Sequence, residues 1–167
     1  EITGEIGTGK TTLCKALLRQ LDANTKTALV LHSGLSELQL IQVIVQDFGL
    51  NPMRPNRLHM FSQLNRFLLE EATAGHNVVL VIDEAQNLSL RLLEQIRMLS
   101  NLETDKEKLI QIVLVGQPQL REKLNQPAMR QLQQRIAVHY HIMPLDIDEV
   151  NTYIKHRLRI AGSDGSL

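Results

Sequence analysis

An α/β domain built on a parallel sheet is predicted by three observations. Continuous apolar runs of strand length, at 27–31, 78–82 and 110–115, lack the alternation of a half-exposed strand, as expected where helices cover both faces. Segments with apolar residues every three or four positions separate these runs. The chain also opens on a glycine-rich stretch, Gly4-Glu5-Ile6-Gly7-Thr8-Gly9-Lys10-Thr11-Thr12, that leads directly into a helical stripe. Alternating strands and helices give a parallel sheet with right-handed crossovers.

Taken in order, Glu1-Ile2-Thr3 is read as the remnant of a first strand. Leu13, Ala16, Leu17 and Leu21 mark a helix over 13–21. After the strand at 27–31, Ser36-Glu37-Leu38-Gln39 has the form of a capping box, and a stripe through Leu38, Ile41, Ile44 or Val45, and Phe48 runs to Gly49. Residues 51–56 form a loop; Leu58, Phe61, Leu64, Leu68 and Ala72 then share one helical face, with Gly75 beyond its end. The run at 78–82 leads into Asp83-Glu84, and Asn87-Leu88-Ser89 caps a helix from 90 to about 100. The run at 110–115 ends at Gly116-Gln117-Pro118. Two short helical pieces, 119–125 and 128–134, flank Pro127. Val138, Tyr140 and Ile142 alternate with His139 and His141, the pattern of an edge strand over 138–143. A last amphipathic helix, 146–161, presents Val150, Ile154, Leu158 and Ala161 on its apolar face.

The opening stretch fits G-x-x-x-x-G-K-[ST], the phosphate-binding loop. Gly4, Gly7 and Gly9 let the backbone turn its N–H groups inward, and a polyphosphate would sit in that nest at a helix N-terminus. Lys10 would face the β- and γ-phosphates, Thr11 would ligate Mg²⁺, and Thr12 would stand behind it. An apolar strand ending in two carboxylates is the usual partner of such a loop. Asp83 is placed to hold the metal, and Glu84 to orient or deprotonate the attacking water. Gln117 has two readings: a hydrogen-bonding group near the γ-phosphate, or a turn residue before Pro118. His32 and Ser33, at the end of the second strand, either restrain Glu84 or reflect ordinary strand-end polarity. His139 and His141 share a strand face, but no carboxylate or cysteine at matching spacing joins them, so a solvated face is the reading.

Composition limits the classes. The 167 residues suffice for one domain with a substantial core, and 43% are hydrophobic. Lys plus Arg and Asp plus Glu each number 18, which leaves no overall basic footprint for nucleic acid as an obligatory partner. No run approaches a membrane span and no signal peptide opens the chain. Cys14, the single cysteine, forms no internal disulfide, suits a reducing compartment and is read as buried packing. The expected location is cytoplasmic.

The chain resembles an AAA+ ATPase, and more closely the ExeA-like group of general secretion pathway ATPases and mannose-sensitive haemagglutinin pilus biogenesis proteins. The resemblance rests on Thr3 to Thr12, the Val81-Ile82-Asp83-Glu84-Ala85-Gln86-Asn87-Leu88-Ser89 stretch, Leu99-Ser100-Asn101-Leu102-Glu103-Thr104, Val113-Leu114-Val115-Gly116-Gln117-Pro118, Gln134-Arg135-Ile136 and Tyr153-Ile154-Lys155-His156-Arg157-Leu158. It implies a P-loop three-layer sandwich with a five-stranded parallel sheet in the order 5-1-4-3-2. It also implies ATP and Mg²⁺ as ligands, a homo-oligomeric ring, and pilus or type II secretion assembly proteins as partners at the cytoplasmic face of the inner membrane. Arg135 then stands where an arginine finger serves a neighbouring subunit, with Arg130 as runner-up. Residues 1–145 are expected to be the nucleotide-binding core and 146–167 the start of a helical lid, in a piece cut from a longer protein. Two other functions compete: an ATP-dependent DNA-transposition regulator of the TniB-like kind, and a nucleotide-gated scaffold with little turnover.

Overall fold

The computed structural model describes residues 1–31, 34–51, 56–104 and 107–162. Local sequence accounts for most of its elements. Strand β1, Ile2–Gly4, gives way through the glycine-rich loop to helix α1, Lys10–Gln20. The helix starts three residues before the predicted one, because its first turn is polar and carries no apolar period. Strand β2, Thr25–Val30, is followed by α2, Glu37–Asp47, whose Ser36–Gln39 capping box forms as expected. The Asn56 side chain caps α3, Arg57–Thr73. Strand β3, Asn77–Ile82, ends in a short 3-10 turn, Ala85–Asn87; Ser89 then caps α4, Leu90–Leu99. Strand β4, Gln111–Gly116, is followed by α5, Gln119–Leu124, a 3-10 turn at Pro127–Met129 and α6, Arg130–Gln133. Strand β5, Tyr140–Ile142, and helix α7, Ile147–Ile160, are the last of the described elements. His32, Ser33 and residues 52–55, which carried a possible restraint on Glu84 and most of a predicted loop, lie outside the described residues.

All pairings in the five-stranded sheet are parallel, in the order β2-β3-β4-β1-β5. This is the expected 5-1-4-3-2 order read from the other edge. Strand β1 slots between β4 and β5, with Ile2 opposite Val115 on one side and Tyr140 on the other. The apolar run of β3 divides by period two. Val78, Leu80 and Ile82 enter the larger core, with α2, α3, α4 and α5. Val79 and Val81 turn to the other face, where they meet Cys14, with Leu18 and Leu21 packed alongside. All five residues are buried, as the unbroken run requires. Strand β5 takes the expected edge position but is shorter than the predicted 138–143, and Tyr140 within it and Val138 ahead of it, expected on the more buried face, are largely exposed. Helix α7 has the predicted periodicity and an Asp146–Glu149 capping box, but buries no residue. No helix among the described residues is long and apolar enough to cross a membrane.

Candidate functional site

Parallel strands deliver their carboxyl ends to one rim, and here that rim gathers the residues singled out by motif. Gly7 and Gly9 sit at φ of 82° and 84°, the left-handed conformation that the loop needs to turn back on itself. Thr8 closes the turn, its hydroxyl donating to the Glu5 carbonyl at 2.9 Å. Glu5 and Ile6 are exposed at its outer edge. The Lys10 side chain is buried beneath it, and its ammonium donates to the carbonyls of Gly4 at 2.9 Å and Glu5 at 2.7 Å. Two of its three donors are thus used inside the loop.

The start of α1 is unlike that of the other long helices. Among the described helices of ten residues or more, α2, α3, α4 and α7 begin under a side-chain cap. Helix α1 begins at Gly9 without one, and has no acidic residue in its first turn. Its leading amides and the positive end of its dipole therefore face the loop with no side chain to satisfy them, the arrangement that takes an anion.

Asp83, 3% exposed, stands opposite. Its Oδ2 accepts from the Thr11 hydroxyl at 2.5 Å and its Oδ1 from the Glu84 N–H at 2.8 Å. A hydroxyl and a carboxylate in contact are a fitting pair for Mg²⁺ beside a polyphosphate. Among the described residues no cluster of three or more His, Cys, Asp or Glu could hold a metal. A hard cation held here by Thr11 and Asp83 would draw its remaining oxygen ligands from water and phosphate. Burial, with the Asp83 charge adding to it, pushes the Cys14 thiol up to about 11. This agrees with the packing role read for it from sequence.

Glu84 follows at φ 53°, ψ 32°, the single non-glycine residue in the left-handed region among those described. That backbone costs about 1 kcal/mol or more and recurs at functional sites. The Glu84 carboxylate accepts a 2.6 Å hydrogen bond from the Gln86 amide. Gln86 in turn accepts from the Gln117 backbone N–H at 3.0 Å. Gln117 is thus brought to the rim, and the contact found there is made by its main chain. A Cβ at Gly116 would lie 2.6 Å from Gln86 Oε1 and 3.2 Å from the Gln86 backbone nitrogen, so a side chain where β4 passes would displace this amide. Sequence reasoning assigned no role to Gln86, Gly116 or Lys123. The first two lie inside the stretches that carry the family resemblance, which was the available signal. Lys123, which donates to the carbonyls of Gln86 and Leu88, gave none.

Arg135 is not brought to this rim. It lines a cavity of about 580 Å³ with Glu1, Ile2 and Gln111, at the amino ends of β1 and β4. It is exposed, as is Arg130, and no carboxylate among the described residues pairs with it. His141 Nδ1 hydrogen-bonds the Thr3 hydroxyl at 3.1 Å and His139 Nδ1 lies 3.5 Å from Glu1 Oε1.

Comparison with known proteins agrees with this geometry. The AAA domain family model matches residues 1–124. General secretion pathway protein A of Aeromonas hydrophila is 45% identical over 162 residues, covering 96% of this chain and 30% of that protein. The chain thus spans about a third of that relative's length. Among solved structures, the Aeropyrum pernix ORC2 protein in its ADP form superposes with a TM-score of 0.71 at 19% identity, covering 95% of this chain and 45% of that one. Cdc6p from Pyrobaculum aerophilum gives 0.69 at 24% identity, covering 95% and 42%. These two show the fold alone, and the expected resemblance to AAA+ ATPases of the ExeA-like group holds. A family match of that extent, over a sheet in the expected order, places the chain in the AAA domain family.

Proposed function

We propose that this domain binds ATP with Mg²⁺ and hydrolyses it to ADP and phosphate. The observation that carries the proposal is the convergence of buried Lys10, the Thr11–Asp83 pair and the strained Glu84 on the uncapped start of α1. Residues 4–12 would cradle the phosphates through backbone amides, and the Lys10 ammonium would turn from its two loop carbonyls toward the β- and γ-phosphate oxygens. Thr11 and Asp83 would hold the metal, which neutralises charge on those oxygens. Glu84 would take a proton from water as it attacks the γ-phosphorus and the bond to the ADP oxygen breaks. The exposed Arg135 is assigned to a neighbour's γ-phosphate in a ring, where a planar guanidinium can bind two oxygens. Residues 146–167 are assigned to the start of a lid over residues 1–145. By its likeness to general secretion pathway protein A, the domain is assigned to ATP-driven assembly of a type II secretion or pilus apparatus at the cytoplasmic face of the inner membrane.

The test is hydrolysis by full-length protein carrying Glu84→Gln. ATP stays bound and turnover falls on the order of a hundredfold, the size of general-base effects. Unchanged turnover removes Glu84 from the chemistry, and negligible turnover in the unaltered protein favours a nucleotide-gated scaffold. Mixing the Arg135→Ala and Glu84→Gln proteins, each deficient alone, should restore activity at interfaces that pair intact Arg135 with intact Glu84. No rescue at any ratio overturns the trans assignment. Salt-sensitive filter retention of DNA by the ATP-bound protein would favour the transposition-regulator reading instead.

A further inference from the structure

We infer that Gln86 is the positioning residue of Glu84, and that its side-chain amide ties the proposed base to the end of β4. The inference rests on the reading of Glu84 as general base. Gln86 is 8% exposed, within the 3-10 turn that follows Glu84. Its NH₂ donates to Glu84 Oε2 at 2.6 Å and its Oε1 accepts from the Gln117 N–H at 3.0 Å. These partners allow one orientation of the amide. A backbone N–H only donates and an ionised carboxylate only accepts, so a flipped amide would set donor against donor and acceptor against acceptor. The amide occupies the space left by the missing side chain of Gly116, where a Cβ would lie 2.6 Å from Oε1. Lys123, reaching from α5 to the carbonyls of Gln86 and Leu88, closes the same turn from outside.

A glutamate has three side-chain torsions, and a left-handed backbone at Glu84 aims the chain without fixing its end. Gln86 supplies that fixation from a buried, singly oriented donor. A displacement of the Gln117 peptide would therefore reach the Glu84 carboxylate through one amide. Gln86 has no hydrogen bond to Lys10, Thr11 or Asp83 among the described residues, so its contribution should fall on turnover and spare nucleotide affinity.

The experiment compares Gln86→Leu and Gln86→Glu with Glu84→Gln, each in the full-length protein, by kcat and by ATP-analogue affinity. Gln86→Leu should lower kcat about tenfold or more, as loss of an orienting partner does, while leaving affinity within about twofold. Gln86→Glu should lower it further, because a second carboxylate then faces Glu84. In a Glu84→Gln background, Gln86→Leu should cost little more, since it acts through Glu84. An unchanged or raised kcat in Gln86→Leu overturns the inference. Parallel losses of kcat and affinity, or a full additional loss in the double variant, also overturn it. If Glu84→Gln itself turns over at the normal rate, the general-base reading falls first; if only the Gln86 variants behave normally, this inference alone falls.

Discussion

The rim above β1 and β3 and the helix α7 invert each other's relation to water. At the rim, Lys10, Asp83 and Gln86 are buried, and each has a partner built for it: two loop carbonyls, a hydroxyl with an amide, a carboxylate with an amide. On α7, Ile147, Val150, Tyr153 and Ile154 are exposed, and no residue of the helix is buried. Burying a charge without partners costs several kcal/mol, so the rim is stable only as a completed network. Leaving an apolar side chain in water only forgoes the gain of covering it. The contrast teaches that amphipathic periodicity fixes a helix and its apolar face, but not whether this part of the chain supplies the surface that covers it.

That contrast can be broken by measurement. Leu93, fully buried in the larger core on α4, should cost about 2–5 kcal/mol of stability when replaced by alanine, read as a shift in the denaturation midpoint. Lys10→Ala should cost about a hundredfold or more in ATP-analogue affinity, because it deletes the cation facing the phosphates. Unchanged affinity would sink the phosphate-loop assignment. Glu84→Gly should abolish turnover yet raise stability by about 1 kcal/mol, since glycine relieves the left-handed backbone; loss of the Gln86 bond would offset part of that gain. Ile154→Ala, on the exposed face, should stay within about 0.5 kcal/mol in this domain. If Ile154→Ala approached the cost of Leu93→Ala, α7 would be covered in solution and the contrast would vanish.

The Ser36–Gln39 capping box, the buried β3 run and the pairing of a Lys10-Thr11 loop with Asp83-Glu84 were readable from sequence because each rests on short-range pattern, whereas the sheet order was implied by the family resemblance. Ser36 meets Gln39 within one turn, and the β3 run needs only its neighbours to look buried. The Gln86 link was not readable. It depends on β4 delivering the Gln117 backbone N–H, 31 positions away, just after Gly116, whose lack of a side chain matters only beside Gln86. Exposure of Val138 and Tyr140 was missed for the opposite reason: alternation implies a covering layer, and among the described residues none buries them.

The placement of β1 has a consequence for synthesis. The strand that leads into the phosphate loop is made before the rest of the sheet, yet its partners are Val115 and Gly116 on one side and Tyr140 to Ile142 on the other. Such distant pairing is slow to form and comes after β4 and β5 have left the ribosome. Until then the loop has no sheet to stand on, and Thr11 cannot be set against Asp83. A ribosome-bound chain halted before residue 140 would carry every residue of the loop and should retain no nucleotide. Capture of a stalled chain by immobilised ATP would therefore date the moment at which β1 is inserted.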